Sequence, residues 1–557
     1  MNDKDLIFSL EEKLDKEFSN HPLMKGEFLK EYIRLSGILS YRLACEGSIP
    51  VDYIQIFYAI FNNLHNFNEI DFENVFPEFV EEGMNDFNHL LQCASLHLTF
   101  PQLHKKILKI NCNNGFYFVD YVSDEAKKIE VQDSILTNVS LPGVGRVIIG
   151  NKEVAAYFFD KINKNEKIDL YDILDYLKEI SLGYKDSFIE QPLIQDEGYQ
   201  EIGFSSKDEF LKIRSALIAV ANVVNFGFYI CHRIYLKDQS DTCIQNYMFD
   251  NFSVMILNKN YFDEIILRLS GVSFEDLKCF KRYYYYSPSS VVRKKIDREF
   301  LPPVYEVGDD VYFSSALLPM LLSTRNLLIK LQESDEGTFE KQLFDEQISK
   351  RFEPTLVERA ERYFLEAGCV VKKEIPYSGG SFDMIVFSPK DNIVLTIQAK
   401  ATLYPESARS VDRLVDRLTN KKDGAINQIL KFDNFPSEYK FEIFIREFPE
   451  LDVNNKPLHL RSVLTNSSFG SYKSWSEIYK NKIIPLNCNI LKNTLGKGRS
   501  LENLNFEVDM YIKELVERHE VTWDEIDFKL KSFQMRQVRF QTKECAKELH
   551  NLGIQGG

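Results

Sequence analysis

The chain lacks the signatures of most metal- and nucleotide-dependent chemistries. Its nine cysteines include no CxxC pair, so neither structural zinc nor a disulfide framework is expected, and scattered thiols suit a reducing compartment. Its nine histidines contain no HxH or HExxH, which sets aside zinc hydrolases and histidine-centred nucleases. His232, in YICHRIY, reads as a core or helix-surface residue. There is no GxGxxG, no GK[ST] and no GxSxG, which sets aside dinucleotide sites, P-loops and serine nucleophile elbows; GVGRVIIG at 143–150 is a turn with a strand after it. No run of about 18 uncharged apolar residues offers a membrane span. The first residues, MNDKDLIFSLEEKLDKEF, carry an amphipathic helix pattern instead of a signal peptide, so a cytoplasmic protein without a membrane partner is expected. An excess of basic charge is also missing. With 68 Lys and Arg against 83 Asp and Glu, the net charge is −15 and the pI about 5.3. Contact with nucleic acid would have to rest on a locally basic cleft, not on the global field.

What is present is ample apolar material. The 557 residues are 44% hydrophobic and 27% charged, the balance of a folded chain, and the length predicts two or three domains. Residues 1–330 read as a mainly helical region with a short β insertion at about 115–150, where FYFVDYV and GRVIIG flank the turn-prone LPGVG. The apolar run ALIAVANVVNFGFYICHRIYL, broken by Asn and Gly, predicts a buried helix. KRYYYYSPSSVVRKKIDREF, residues 281–300, is basic and aromatic; it suits either a nucleic-acid groove or a strand and linker whose tyrosines pack on the helical region.

A polar break near LQESDEG opens a second pattern over 337–497. Phe339, Leu343, Phe344 and Ile348 predict one helix; Leu356, Ala360, Tyr363 and Phe364 predict another, ending at Gly368. Strands follow at CVVKKEIPY, FDMIVF and IVLTIQAKA, then one helix through ARSVDRLVDRLTNKKDGAINQILKF, then strands at FEIFIREF, HLRSVLTN and KIIPLNCNI. This order predicts an α/β/α sandwich around a mixed sheet. Residues 501–557 read as a helical tail, so the whole is a multi-domain α + α/β chain.

Within IVLTIQAK, Gln398 and Lys400 project to the same face, because strand residues two apart do so. Asp383 on the preceding strand of the meander falls beside them, since paired strands lie about 4.8 Å apart. An acid, an amide oxygen and an amine at one sheet edge suit phosphodiester hydrolysis. Asp383 and the Gln398 carbonyl can hold a hard cation, Mg²⁺ or Mn²⁺, while Lys400 supplies positive charge and orients water. An inward-facing Lys on an apolar strand also asks for a charged partner.

FDMIVF followed by IVLTIQAK, preceded by a Glu-bearing helix, resembles the PD-(D/E)xK nuclease superfamily, whose fold is restriction-endonuclease-like. Asp383 matches its acid, Lys400 its lysine, and Gln398 the variable position, as in the Q-x-K form of Mrr-type enzymes; Phe382 stands where the superfamily's name has proline. The resemblance covers about 160 residues. It implies a metal-dependent deoxyribonuclease, an endonuclease acting on DNA, with RNA as an alternative substrate. It further suggests an effector of prokaryotic antiviral defence whose N-terminal region senses, binds a partner subunit or forms a homo-oligomer. A catalytically inactive relative that binds nucleic acid or assembles complexes is the other reading.

The resemblance also calls for a helix acid. GTFEKQLF resembles the G-x-x-F-E start of related domains and points to Glu340 as a catalytic and metal-binding residue, while Glu358 is the alternate by its spacing from Gly368. Arg409, Arg413 and Arg417 recur every four residues along one helical face, suiting phosphate contact. They suit equally a solvated face in which Arg409 pairs with Asp412 and Arg413 with Asp416. Gln428 resembles a substrate-facing or metal-site glutamine of the family.

Overall fold

Long apolar stripes and β-branched runs give the chain both helices and strands, and the computed structural model assembles them into helical layers and three sheets among the described residues. It describes residues 3–20, 28–46, 106–140, 152–187, 193–235, 242–286, 300–403, 408–495 and 500–544, with scattered positions between 89 and 103. The predicted strand GRVIIG, the basic stretch after Tyr286 and the end of the tail lie outside these residues.

The N-terminal half begins with α1 (Asp3–Ser19), strands β1 (Leu108–Asn113) and β2 (Phe116–Tyr121), and α2 (Asp124–Ser140). After α3 (Asp196–Ile202) comes α4 (Lys207–Tyr235). Within α4, Lys207–Ile234 is long and apolar enough to cross a membrane, but 78% of its apolar window is buried in protein. It is the expected core helix, and the amide nitrogens of its interruptions are paired: Asn222 donates to the Tyr184 hydroxyl at 2.7 Å and Asn225 to the Ser315 carbonyl at 2.8 Å, while Asn225 Oδ1 has no partner among the described residues. Each such buried bond avoids the larger cost of an unpaired amide.

Sequence reading missed a second sheet in this half, of order β3-β6-β5-β4, formed by β3 (Val254–Asn258), β4 (Tyr285–Tyr286), β5 (Val304–Val307) and β6 (Asp310–Ser314). These strands have two to five residues, too few for a period-2 pattern to stand out. The tyrosines of α5 (Phe274–Tyr284) follow the packing alternative, since Tyr283 and Tyr284 are both buried.

The second half starts with α6 (Phe339–Leu343), a π-turn over Phe344–Ile348, a 3-10 turn over Ser349–Arg351, and α7 (Phe352–Glu366). Then come β7 (Val370–Tyr377), β8 (Gly380–Ser388) and β9 (Ile393–Lys400) as predicted. Gly379 turns β7 into β8 with φ +92°, a backbone angle that suits glycine. The predicted single helix after β9 is two: α8 (Ala408–Thr419) and α9 (Ala425–Asp433). Gly424 marks the break, because a Cβ there would stand 2.6 Å from the Asn420 backbone.

FEIFIREF is not a strand but most of α10 (Ser437–Glu447), which buries Ile443 and Phe444. Strand β10 (Leu458–Thr465), α11 (Tyr472–Lys480) and β11 (Ile484–Asn487) complete the unit. The sheet order is β11-β10-β9-β8-β7, antiparallel between β7, β8 and β9 and parallel between β9, β10 and β11. The sheet is mixed, as expected, but without the strand predicted at FEIFIREF. α7 shares a core with one face, through Leu356, Ala360, Phe364, Met384, Leu395 and Ile397. The opposite face packs Phe382, Ile385, Phe387 and Val394 against Phe432 of α9 and Phe444 of α10. Central β9 is buried from Ile393 through Ala399, as a strand covered on both sides must be.

The tail departs from expectation. After α12 (Leu504–Glu517), a hairpin of β12 (His519–Lys529) and β13 (Gln534–Glu544) replaces the predicted helices. β13 joins β2 in parallel, giving the sheet order β1-β2-β13-β12. Glu17 of α1 accepts from the N–H groups of Lys531 and Ser532 in the hairpin turn, at 2.6 and 3.0 Å. The hairpin His519–Glu544 therefore extends a sheet of the N-terminal half.

Candidate active site

The antiparallel register that pairs Met384 with Ile397 carries Asp383 alongside Gln398, with Lys400 two residues further on. The three residues singled out in sequence are thus gathered at one end of the β8–β9 pair. The Ala399 N–H donates to Asp383 Oδ2 at 2.6 Å, and among the described residues it is the one hydrogen-bond donor to this carboxylate. Burial pushes the Asp383 carboxyl up to about 6. The Ala399 hydrogen bond and the Lys400 charge pull it back, while the charges of Glu353 and Glu374 push it further up. Gln398 is 2% exposed, and its Oε1 has no hydrogen-bond partner among the described residues, a costly arrangement for a buried amide.

The acid that the structure brings to this end is Glu353, not Glu340. Lys400 Nζ lies 3.6 Å from one Glu353 oxygen and Arg417 Nη1 lies 3.7 Å from the other. Arg417 also donates to the Ala401 carbonyl at 2.9 Å, tying α8 to the end of β9. Glu340 instead pairs with Arg282 of α5 at 2.5 Å. Burial opposes its ionisation, but its own N–H and the Arg282 guanidinium hold it below the usual carboxylate range. Glu358, the alternate, does border the cleft, but it accepts from Gln195 Nε2 at 2.6 Å.

The signal for Glu353 was readable in the sequence. Glu353, Val357, Ala360 and Phe364 fall at i, i+4, i+7 and i+11, so this acid continues the buried stripe of α7. Glu358 lies off that stripe.

Glu374 was not foreseen at all. It sits on β7 between the pairs Lys373↔Met384 and Ile375↔Phe382, hence across from Asp383, with φ +55°. A left-handed glutamate inside a strand costs on the order of 1–3 kcal/mol, and such strain concentrates at functional positions. A cleft of about 660 Å³ is bordered by Asp383, Glu353, Glu358, Glu374, Lys373 and Arg417, among others.

The remaining predicted residues divide. Arg413 is exposed and its Nη1 reaches Gln332 Oε1 at 3.5 Å, while Asp416 receives Asn420 Nδ2 at 3.4 Å; the Arg413–Asp416 pair of the solvated-face alternative is not what these contacts form. The side chain of Arg409 lies outside the described residues. Gln428 of α9 accepts the Tyr377 hydroxyl on its main-chain carbonyl at 3.1 Å, and its side-chain Oε1 is buried without a partner among the described residues. Burial and the Asp383 charge raise the pKa of the Tyr377 hydroxyl.

Among the described residues no three His, Cys, Asp or Glu side chains converge closely enough to hold a metal ion. The donor chemistry nevertheless fits a hard divalent cation: a carboxylate with one hydrogen bond, two further acids raising its pKa, and a buried amide oxygen lacking a donor. Comparison with protein-family models, curated proteins and solved structures gave no match to this chain.

Proposed function

We propose that the second half of the chain is a metal-dependent nuclease of the restriction-endonuclease-like fold, hydrolysing phosphodiester bonds of DNA. The observation that carries this reading is the placement of Asp383 beside Gln398 and Lys400, with Glu353 held between Lys400 and Arg417. Asp383, Gln398 and Glu353 are the residues that would hold Mg²⁺ or Mn²⁺. Such an ion, when bound, polarises a phosphoryl oxygen and lowers the pKa of water.

The chain's own groups do the rest. Lys400, at the mouth of a buried strand, presents a cation to the charge that develops on phosphorus and orients the attacking water. Glu353 holds that lysine and the Arg417 guanidinium in place. Asp383 must be ionised to hold a cation, and burial raises its carboxyl to about 6 in the metal-free protein, so protons compete with the cation for it at low pH. The superfamily analogy extends to a defence effector, with the N-terminal half as sensor or partner-binding region; this part rests on analogy alone.

One specific observation favours the competing reading, a nucleic-acid-binding or assembly protein without catalysis: the acids border the cleft without closing on one point. Incubation of wild type, Asp383→Ala and Lys400→Ala with plasmid DNA or RNA, in Mg²⁺, Mn²⁺ or EDTA, separates the two. Cleavage by wild type alone, abolished by EDTA, is the expected result. Binding without cleavage, unaffected by either substitution, would establish the alternative; cleavage of RNA alone would change the substrate and keep the chemistry.

A further inference from the structure

A second cavity, of about 600 Å³, adjoins the cleft and shares Lys350, Pro354 and Glu358 with it. Its floor is the 3-10 turn and first residues of α7; its wall is α3 and the residue before it in the N-terminal half, contributing Gln195, Glu197 and Glu201. Arg351 Nε donates to Glu201 Oε2 at 3.0 Å, and its Nη2 donates to the other oxygen of the same carboxylate. This two-pronged grip is the one a guanidinium gives a phosphate. Beside it Lys350 is exposed and has no ion-pair partner among the described residues.

Resting on the nuclease reading, we infer that Lys350 and Arg351 form a backbone-phosphate subsite for nucleic acid leading to Asp383, and that Glu201 occupies it as an internal phosphate mimic. Charge supports both parts. The two joined cavities are bordered by six carboxylates, Glu197, Glu201, Glu353, Glu358, Glu374 and Asp383, against four cations, Lys350, Arg351, Lys373 and Arg417. With α3 in place the groove repels a polyanion. Withdrawal of Glu197 and Glu201 leaves four charges of each sign and frees Arg351. The N-terminal half therefore gates access by electrostatics as well as by bulk, and displacement of α3 turns the groove into a strand path. Gln195 adds a neutral tie to the same wall through its bond to Glu358.

The test is binding of a fluorescein-labelled duplex DNA by fluorescence anisotropy in EDTA, over a series of NaCl concentrations, with thermal melting to confirm folding. Glu201→Gln is expected to bind several-fold more tightly than wild type. Arg351→Gln is expected to bind more weakly, with the slope of log affinity against log salt reduced by about one. The charge-reversed pair, Glu201→Arg with Arg351→Glu, restores the clasp but places an acid on the floor; it is expected to bind no better than Arg351→Gln. If the pair only fastens the two halves, the reversed variant binds like wild type and Glu201→Gln gains nothing, which overturns the inference. Plasmid cleavage by wild type but not Asp383→Ala is read separately, so a nuclease lacking this gate and a gate lacking a nuclease give different results.

Discussion

Two acids, the buried Asp133 and the half-buried Asp383, have pKa values raised by the same cause, desolvation, yet their surroundings are opposite. Asp133, on α2, is held where the loop after β10 meets α11. The Phe469 N–H donates to it at 2.9 Å and the Trp475 indole N–H at 2.7 Å, and the Gly470 N–H and Ser468 hydroxyl add to these. Its neighbour Glu130 accepts the Tyr472 N–H at 2.8 Å, with its own carboxyl pushed up to about 7, mainly by burial. Asp383 has one N–H donor and two neighbouring carboxylates that disfavour its charge, and it borders a cleft. An elevated pKa alone therefore does not mark function. The hydrogen-bond supply does: Asp133 is saturated and binds two parts of the molecule together, whereas Asp383 is left short at an opening.

This contrast can be broken or sharpened by substitution. Asp383→Ala should lower cleavage by at least about 10³-fold, roughly 4 kcal/mol of transition-state stabilisation, with the fold retained in circular dichroism. Asp133→Ala should do the reverse. It leaves the indole and two main-chain N–H groups unpaired and should cost about 3 kcal/mol of stability in urea unfolding, with the rate per folded molecule unchanged.

Glu353→Gln, which removes the counter-charge to Lys400 and Arg417, should slow cleavage about 10- to 100-fold, seen as a fall in kcat. Asp383→Asn should stabilise the apo protein. A folded pKa of about 6 against the ordinary 3.8 means that the folded state binds more protons, so wild-type stability falls as pH rises from about 4 to 6. The variant escapes this loss and should gain about 3 kcal/mol above pH 6 and nothing below pH 4. Glu340→Ala should change stability by less than about 1 kcal/mol, as a partly exposed pair with Arg282 does, and leave cleavage alone. Loss of activity there would return Glu340 to the site.

Strand β9 was legible because it is buried from Ile393 through Ala399: IVLTI reads as a strand without ambiguity when both faces are covered. FEIFIREF misled because its Phe and Ile positions satisfy a strand alternation as well as one face of a half-buried helix. HEVTWDEIDFK hid for the opposite reason. β12 is an edge strand exposed over most of its length, so no period-2 contrast marks it, and the sheet it extends is founded on β2, some 400 residues earlier. At the site, residues on adjacent strands were placed by strand geometry. Glu374 was not, because its position depends on a left-handed backbone angle that nothing in EIPY announces.

The most direct test of the central claim, that Asp383 is kept short of partners in order to meet a cation, is calorimetric titration with Mn²⁺ at pH 6 and pH 8 in buffers of differing ionisation enthalpy. The account predicts that wild type binds the ion at both values, releasing about half a proton at pH 6 and almost none at pH 8, because Asp383 titrates near 6. Asp383→Asn should bind far more weakly and without the pH-dependent release. Equal binding by wild type and Asp383→Asn, or no binding by either, would contradict it.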